Sequence, residues 1–385
     1  MRNIQKNNFS GLKKYRRKWK INMSKHILFI FRNMGTGGAQ KIETFVANTL
    51  INNGYKVTVL NMAKERCSVA IDKEIPVYNL FFDNVENEKN SIKRAAKKIA
   101  YLIQLRKAIK KIKPDLICVF LSDIVRLTVL AMWGTKIPII GSERGDPYQF
   151  SPKKLKQYNW AYNQCDGVAF QLKKAEKAYS LKRNIKKVII ENPCIPREES
   201  FPERTGNEHI ILTAGRLAKQ KRFDVLIDAF SIVYKTHPEY KMFIYGDGPL
   251  KDELKQQIRK RKLEQSVVLV GNVKDVFREA TSAEFFVLSS DFEGIPNVLM
   301  EAMAIGFPCI STDCSPGGAE MLLQGGKRGI IVPREDSIKM AEAMIRYIEH
   351  PELQKKYSQR AKEIIEEYSP ERIQEKWLDF FKDFI

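Results

Sequence analysis

Glu293 and Glu301 are separated by seven residues, and the stretch between them holds Gly294, Ile295, Pro296, Asn297 and Val298. Val298 to Ile305 has helical composition and stops at Gly306. At ~1.5 Å of rise per residue the two acids would stand roughly 12 Å apart. That is about the reach from a sugar ring, across a pyrophosphate, to a ribose. The backbone N–H groups of Gly294, Ile295, Asn297 and Val298 fall at the helix start, where anions bind. Pro296 has no N–H and suits a first helical turn. Acids for hydroxyls and a helix start for phosphates predict a nucleotide-sugar site. The alternative is a capping Glu293 and a solvated Glu301.

A second set of chemistry-bearing residues is Gly215-Arg216-Leu217-Ala218-Lys219-Gln220-Lys221. A nucleoside diphosphate gains negative charge as it departs, and fixed cations stabilise it. Arg offers a planar fork for phosphate and Lys a point charge. Arg216 and Lys221 are the candidates, against a reading as solvated basic residues before a helix. The chain has no Asp-x-Asp, which argues against a divalent metal on the pyrophosphate.

The elements that position these residues read as α/β. Phe285–Leu288, Phe307–Ile310, His209–Thr213, Met242–Tyr245, Val267–Val270 and Ile330–Pro333 are short apolar strand signals in the second half. In the first half a βαβ unit runs from His26–Arg32, through a Gly-rich turn with Gly37 and Gly38, to a helix over 41–53 and a strand over 55–60. The turn is not Gly-x-Gly-x-x-Gly and no acid ends the second strand, so a nicotinamide cofactor is a poor fit, and no cofactor is expected. Strands are expected at 116–121, 138–141 and 167–170. The segment Ser142-Glu143-Arg144-Gly145-Asp146-Pro147 follows as a polar loop at a strand's C-terminal end, where open α/β sheets bind ligands.

Glu-Gly-x-Pro-x-x-x-x-Glu-Ala-Met-x-x-Gly-x-Pro, from Glu293 to Pro308, resembles the donor-site signature of the retaining glycosyltransferases of family 4, which have the GT-B fold. Gly-Gly-Ala at 37–39, Gly-Arg-Leu at 215–217 and Gly-Asp-Gly-Pro at 246–249 extend the likeness over most of the chain. The resemblance implies two facing doubly wound Rossmann-like domains with the active site between them. It implies that Gly37 and Gly38 face the donor phosphates, with Gly246 and Gly248 in a further donor loop. The backbone of Gly271, Asn272 and Val273 would hold the uracil. Glu293 would orient the donor sugar and Glu301 the ribose hydroxyls. Many family members have a His near Glu143, whereas polysaccharide-building members carry a similar Ser-Glu-Arg-x-Asp-Pro. Glu143, Arg144 and Asp146 are therefore acceptor-side candidates, or members of a salt-bridged loop.

The 385 residues are enough for two domains with separate cores. We expect a basic tail over 1–22, an acceptor domain over 23–196, a linker over 197–207 and a donor domain over 208–369. The resemblance implies that a closing helix over 370–385 crosses back onto the first domain. The six cysteines lack metal-type spacing and read as reduced thiols of a cytosolic protein. No stretch is apolar enough to span a membrane, and the N-terminus lacks a signal-peptide core.

The net charge of +21 calls for an anionic partner. The tail interleaves Lys and Arg with Phe9, Leu12, Tyr15, Trp19 and Ile21. It reads as a solvated tail or an interfacial membrane helix, unless Met23 is the true start. Ser91–Lys113 is a second basic segment, a predicted helix packed on the sheet by Ile92, Ala96, Ile99, Ile103 and Ile109. Its charged face is a candidate for anionic lipid or a lipid-linked pyrophosphate. These features fit transfer from a UDP-hexose or UDP-N-acetylhexosamine to a polyprenyl-diphosphate-linked glycan on an inner membrane face, in surface polysaccharide assembly. Two other readings stay open: a sugar-nucleotide epimerase of the same fold, and a basic nucleic-acid-binding protein, for which no recognition motif is present.

Overall fold

The computed structural model describes residues 25–35, 37–63, 71–80, 90–195, 203–206 and 208–385. The tail over 1–22, Cys67 and most of the 197–207 linker lie outside them. The first seven strands are β1 (His26–Phe31), β2 (Lys56–Asn61), β3 (Val77–Asn79), β4 (Leu116–Phe120), β5 (Ile139–Glu143), β6 (Gly167–Phe170) and β7 (Lys186–Ile189). They form one sheet in the order β3-β2-β1-β4-β5-β6-β7. Six more follow: β8 (Ile210–Ala214), β9 (Lys241–Tyr245), β10 (Val267–Gly271), β11 (Phe285–Leu288), β12 (Cys309–Thr312) and β13 (Ile330–Val332). Their order is β10-β9-β8-β11-β12-β13. Every strand pair is parallel. Parallel strands are covered on both faces, which is why β1 reads His-Ile-Leu-Phe-Ile-Phe and is buried throughout. The fold is α/β with two Rossmann-like domains.

The order reverses between β1 and β4 in one sheet and between β8 and β11 in the other. Helices leave to opposite faces there, and the strand ends open a crevice. The Gly37–Gly38 turn follows β1, the Arg216–Lys221 loop follows β8 and the Glu293 loop follows β11. The three predicted phosphate and sugar elements thus all stand at switch points.

The first helix, α1 (Gly38–Asn52), buries Ile42, Val46, Ala47 and Leu50 on the first sheet at helical spacing. The helix over Pro370–Lys382 packs on the same core, with Ile373, Trp377, Phe380 and Phe381 beside Phe29, Phe31 and Phe120. The Trp377 and Phe120 rings are 5.7 Å apart. At Gly167 a Cβ would stand 2.5 Å from Phe384 and 2.9 Å from Phe380, so a side chain there would have to push both rings aside.

Two expectations need correction. The second helix, α2 (Ser91–Ile112), buries only Leu105 and Ile109, both in its C-terminal half. Ile92, Ile99 and Ile103 are exposed by 79%, 60% and 48%, so the predicted apolar face is not packed on the sheet over its first half. Periodicity defines a face but does not supply a neighbour for it. Ser142 and Glu143 are not loop residues: they continue β5, paired with Ala169 and Phe170 of β6. No helix among the described residues is long and apolar enough to cross a membrane.

Candidate active site

The loop after β8 and the loop after β11 are sewn together. Gln220 donates its side-chain amide to the Phe292 carbonyl at 2.6 Å, and the Asp291 N–H donates to the Gln220 carbonyl at 2.9 Å. Ser289 Oγ donates to the Lys221 carbonyl at 2.7 Å. Arg222, forced into the left-handed region at φ 47°, reaches Asp224, Asp291 and Glu335. The result places the Lys221 ammonium on the Glu293 carboxylate, which also accepts from Ser290 Oγ at 2.9 Å. Both side chains of the Lys221–Glu293 pair are largely buried, at 15% and 13% exposure. Arg216 beside them is exposed and has no ion pair to any described residue.

The β9 exit braces the cationic loop. A Cβ on Gly246 would fall 2.0 Å from the Gly215 carbonyl oxygen, and Gly246 holds a φ of 130°. Leu217 N–H donates to the Asp247 carbonyl, and Gly246 N–H to the Gly271 carbonyl. Gly248 packs against the Leu217 backbone, where a Cβ would fall 2.5 Å from the Leu217 carbonyl oxygen, while Gly271 reaches the cationic loop only through Gly246.

Opposite stand two helix starts. Asn297–Ile305 follows Pro296, and α1 follows Gly37 from the other domain. A Cβ on Gly38 would lie 2.9 Å from Asn297 Nδ2, so the two N-termini meet across the cleft. Helix geometry leaves the Asn297 and Val298 N–H groups without an intrahelical carbonyl. Two converging helix starts, with a nearby Lys and Arg, make a strongly anion-favouring spot. Glu301, one turn further on, accepts from Lys41 of α1 at 2.9 Å.

The Ile295 N–H is not available to a ligand, which corrects one expectation. It donates at 2.7 Å to the side-chain oxygen of Gln171, whose amide donates to the Arg144 carbonyl at 3.0 Å. Asn192 adds a second bridge, donating to Asn297 Oδ1 at 2.7 Å. At Gly294 any Cβ would stand 2.5 Å from the Arg144 carbonyl oxygen. Gln171, Asn192, Lys41 and Gln220 were not picked out by sequence reasoning. Their partners lie in the other domain or a distant loop, so local sequence carries no signal for them.

The acceptor-side candidates spend their side chains inside the first domain. Glu143 accepts from Ser122, from Tyr179 at 2.5 Å and from the Gly145 N–H at 2.8 Å. Asp146 caps the next turn through the Tyr148 N–H. Arg144 donates to Ser142 Oγ and the Ile190 carbonyl, and lies over the rings of Phe120 and Trp377. Burial pulls its guanidinium down to about 10. Near it Glu43 of α1 is buried, with no hydrogen bond to either carboxylate oxygen from the described residues. Burial pushes the Glu43 carboxyl well above the usual carboxylate range, against the pull of Arg144.

Comparison with known proteins agrees with this architecture. Residues 39–180 match the family described as "Glycosyl transferase 4-like", and residues 196–364 match "Glycosyl transferases group 1". A Campylobacter jejuni α-1,4-N-acetyl-D-galactosaminyltransferase acting on GalNAc-α-(1→4)-GalNAc-α-(1→3)-diNAcBac-PP-undecaprenol is 27% identical over 91% of this chain and 97% of its own length. The amylovoran biosynthesis glycosyltransferase AmsD of Erwinia amylovora is 26% identical over 93% of this chain and 99% of its own. The crystal structure of Anabaena HepE in complex with UDP and glucose superposes with a TM-score of 0.76 at 18% identity, covering 92% of this chain and 99% of that one. A 4-like domain and a group 1 domain, both in their expected order on a GT-B frame, place this chain among the family-4 glycosyltransferases.

Proposed function

We propose that the protein transfers a hexose or N-acetylhexosamine from a UDP-sugar to a polyprenyl-diphosphate-linked glycan, with retention at the anomeric carbon. The observation that carries this reading is the meeting of two helix N-termini beside the Lys221–Glu293 pair. The diphosphate lies between Gly37, Gly38, Asn297 and Val298 on one side and Arg216 and Lys221 on the other. These fixed charges and amides take the place of a metal ion. Glu301 grips the ribose, Gly271 to Val273 the uracil, and Glu293 the transferred sugar. The bond from the anomeric carbon to the β-phosphate oxygen breaks as the acceptor hydroxyl bonds to the same face of that carbon. Its proton goes to the departing phosphate oxygen. The UDP and glucose named for the Anabaena structure and the undecaprenol diphosphate named for the Campylobacter relative support donor and acceptor.

In this reading the acceptor domain spans 23–196 with the 370–385 helix, the linker 197–207, and the donor domain 208–369. The protein works on the inner face of the plasma membrane, held by the exposed first half of α2. Lys93, Lys97 and Lys98 there alternate with Ile92 and Ile99. The test is a screen of several UDP-sugars with a crude lipid extract, reading released UDP and lipid-linked product. UDP release that depends on the extract supports the assignment. Epimerised donor without product refutes it.

A further inference from the structure

A cavity of about 690 Å³ opens between the domains, lined by Tyr148 and Lys174 of the first and Asp313, Ser315, Glu320 and Arg334 of the second. Its size falls in the range of about 300–1,000 Å³ usual for small-molecule sites. It shares no residue with the set assigned above to the UDP moiety. It meets the Glu293 loop through backbone: the Glu293 N–H donates to the Ser315 carbonyl at 2.8 Å, and the Ser315 N–H to the Asp291 carbonyl at 3.1 Å. One wall of the cavity is therefore fixed to the loop that carries the sugar-orienting acid.

The charges lining it are matched. Lys174 pairs with Glu320 at 2.6 Å and Arg334 with Asp313 at 3.4 Å. Matched pairs do not favour an ionic ligand, but their outer donors and acceptors suit a polyhydroxyl one. All four side chains are between 43% and 61% exposed, so solvent-facing hydrogen-bond positions remain on each. Tyr148 is 55% exposed, and its hydroxyl donates to the Lys174 carbonyl at 3.0 Å. That bond fixes the phenol while leaving ring surface open. An anchored aromatic face is an amphipathic surface that sugar C–H groups can cover.

We propose that this cavity binds the neutral saccharide of the acceptor, next to the hydroxyl that attacks the donor. The proposal rests on the sugar-transfer reading of the cleft. Saturation-transfer NMR on the full chain with UDP bound tests it. The probes are the octyl α- and β-glycosides of glucose, galactose, N-acetylglucosamine and N-acetylgalactosamine. At least one should receive saturation. Tyr148→Ala and Arg334→Ala should each weaken its binding about tenfold. Tyr148→Phe, which keeps the ring but loses its anchor, should weaken it less than Tyr148→Ala. Melting temperature and UDP affinity, read by calorimetry, should match wild type in all three variants. The proposal falls if no glycoside binds the UDP-loaded protein, or if binding survives both alanine substitutions. Failure of the wild type to bind UDP would instead overturn the sugar-transfer reading itself.

Discussion

Lys221 and Glu293, 72 residues apart in the chain, are brought together as a largely buried ion pair by loops after two adjacent strands. Each holds the other in place, and in the proposed reaction this is where charge develops. Lys221→Ala should lower kcat by roughly 10²–10³, the range for removing one transition-state charge contact. Glu293→Gln should also lower kcat while leaving UDP affinity near wild type. Steady-state kinetics with isothermal titration of UDP separates the two effects; full turnover by Lys221→Ala would refute the role of the cation.

The Lys41–Glu301 pair spans the cleft at 2.9 Å, with Lys41 42% exposed. An exposed pair contributes at most about 1 kcal/mol. Lys41→Ala should therefore shift donor KM only severalfold. Glu301→Ala, which removes the proposed ribose acceptor, should raise it far more. Equal effects of the two substitutions would show that the pair itself, not the ribose contact, matters.

Gln171 satisfies two buried backbone groups at once, one in each domain. Gln171→Ala would orphan both, at about 1–3 kcal/mol each. We expect a lower denaturant midpoint together with a lower kcat, because the loop before Asn297 loses its brace. A midpoint within error of wild type would contradict the bridge.

Glu43 has a folded-state pKa raised by burial. An acid of this kind binds its proton more tightly when folded, so its contribution is full below the ordinary carboxylate pKa. Stability is lost as pH rises above about 4.5 toward the raised value. Glu43→Gln removes that loss. The variant should melt a few degrees higher than wild type at pH 8, with a smaller gap at pH 5. Thermal scans at both values decide it, and a gap that grows toward acid would refute the assignment.

The exposed half of α2 makes a prediction about membranes. Each basic side chain near an anionic surface is worth about 1 kcal/mol. Replacing Lys93, Lys97 and Lys98 together by Glu should abolish flotation with phosphatidylglycerol vesicles at low salt. Ile99→Asp should weaken it too. Flotation that ignores both changes would place the contact elsewhere.

Much of this was legible in the sequence because parallel strands are short apolar runs and because Glu293, Glu301 and the Arg216–Lys221 loop sit at fixed distances from them. What escaped was non-local. Gln171 reads as the start of a helix until Ile295 arrives from the other domain. Glu143 reads as a loop acid until β6 pairs with it, turning a candidate ligand contact into a buried acceptor for Ser122 and Tyr179. The first half of α2 has the right period, but its isoleucines Ile92 and Ile99 are not packed on the sheet. Nothing in the order of residues announces Glu43, which occupies a buried position of an otherwise ordinary amphipathic helix.

Trp377 and Phe381 fill the core under β1 and β4, although residues 121–376, with a whole second sheet, intervene. The second domain is thus an insertion within the first. A hybrid enzyme that exchanges the second domain at a single crossover would carry a foreign plug in the core of the first. Recombination that preserves folding needs two crossovers, the second just before Pro370.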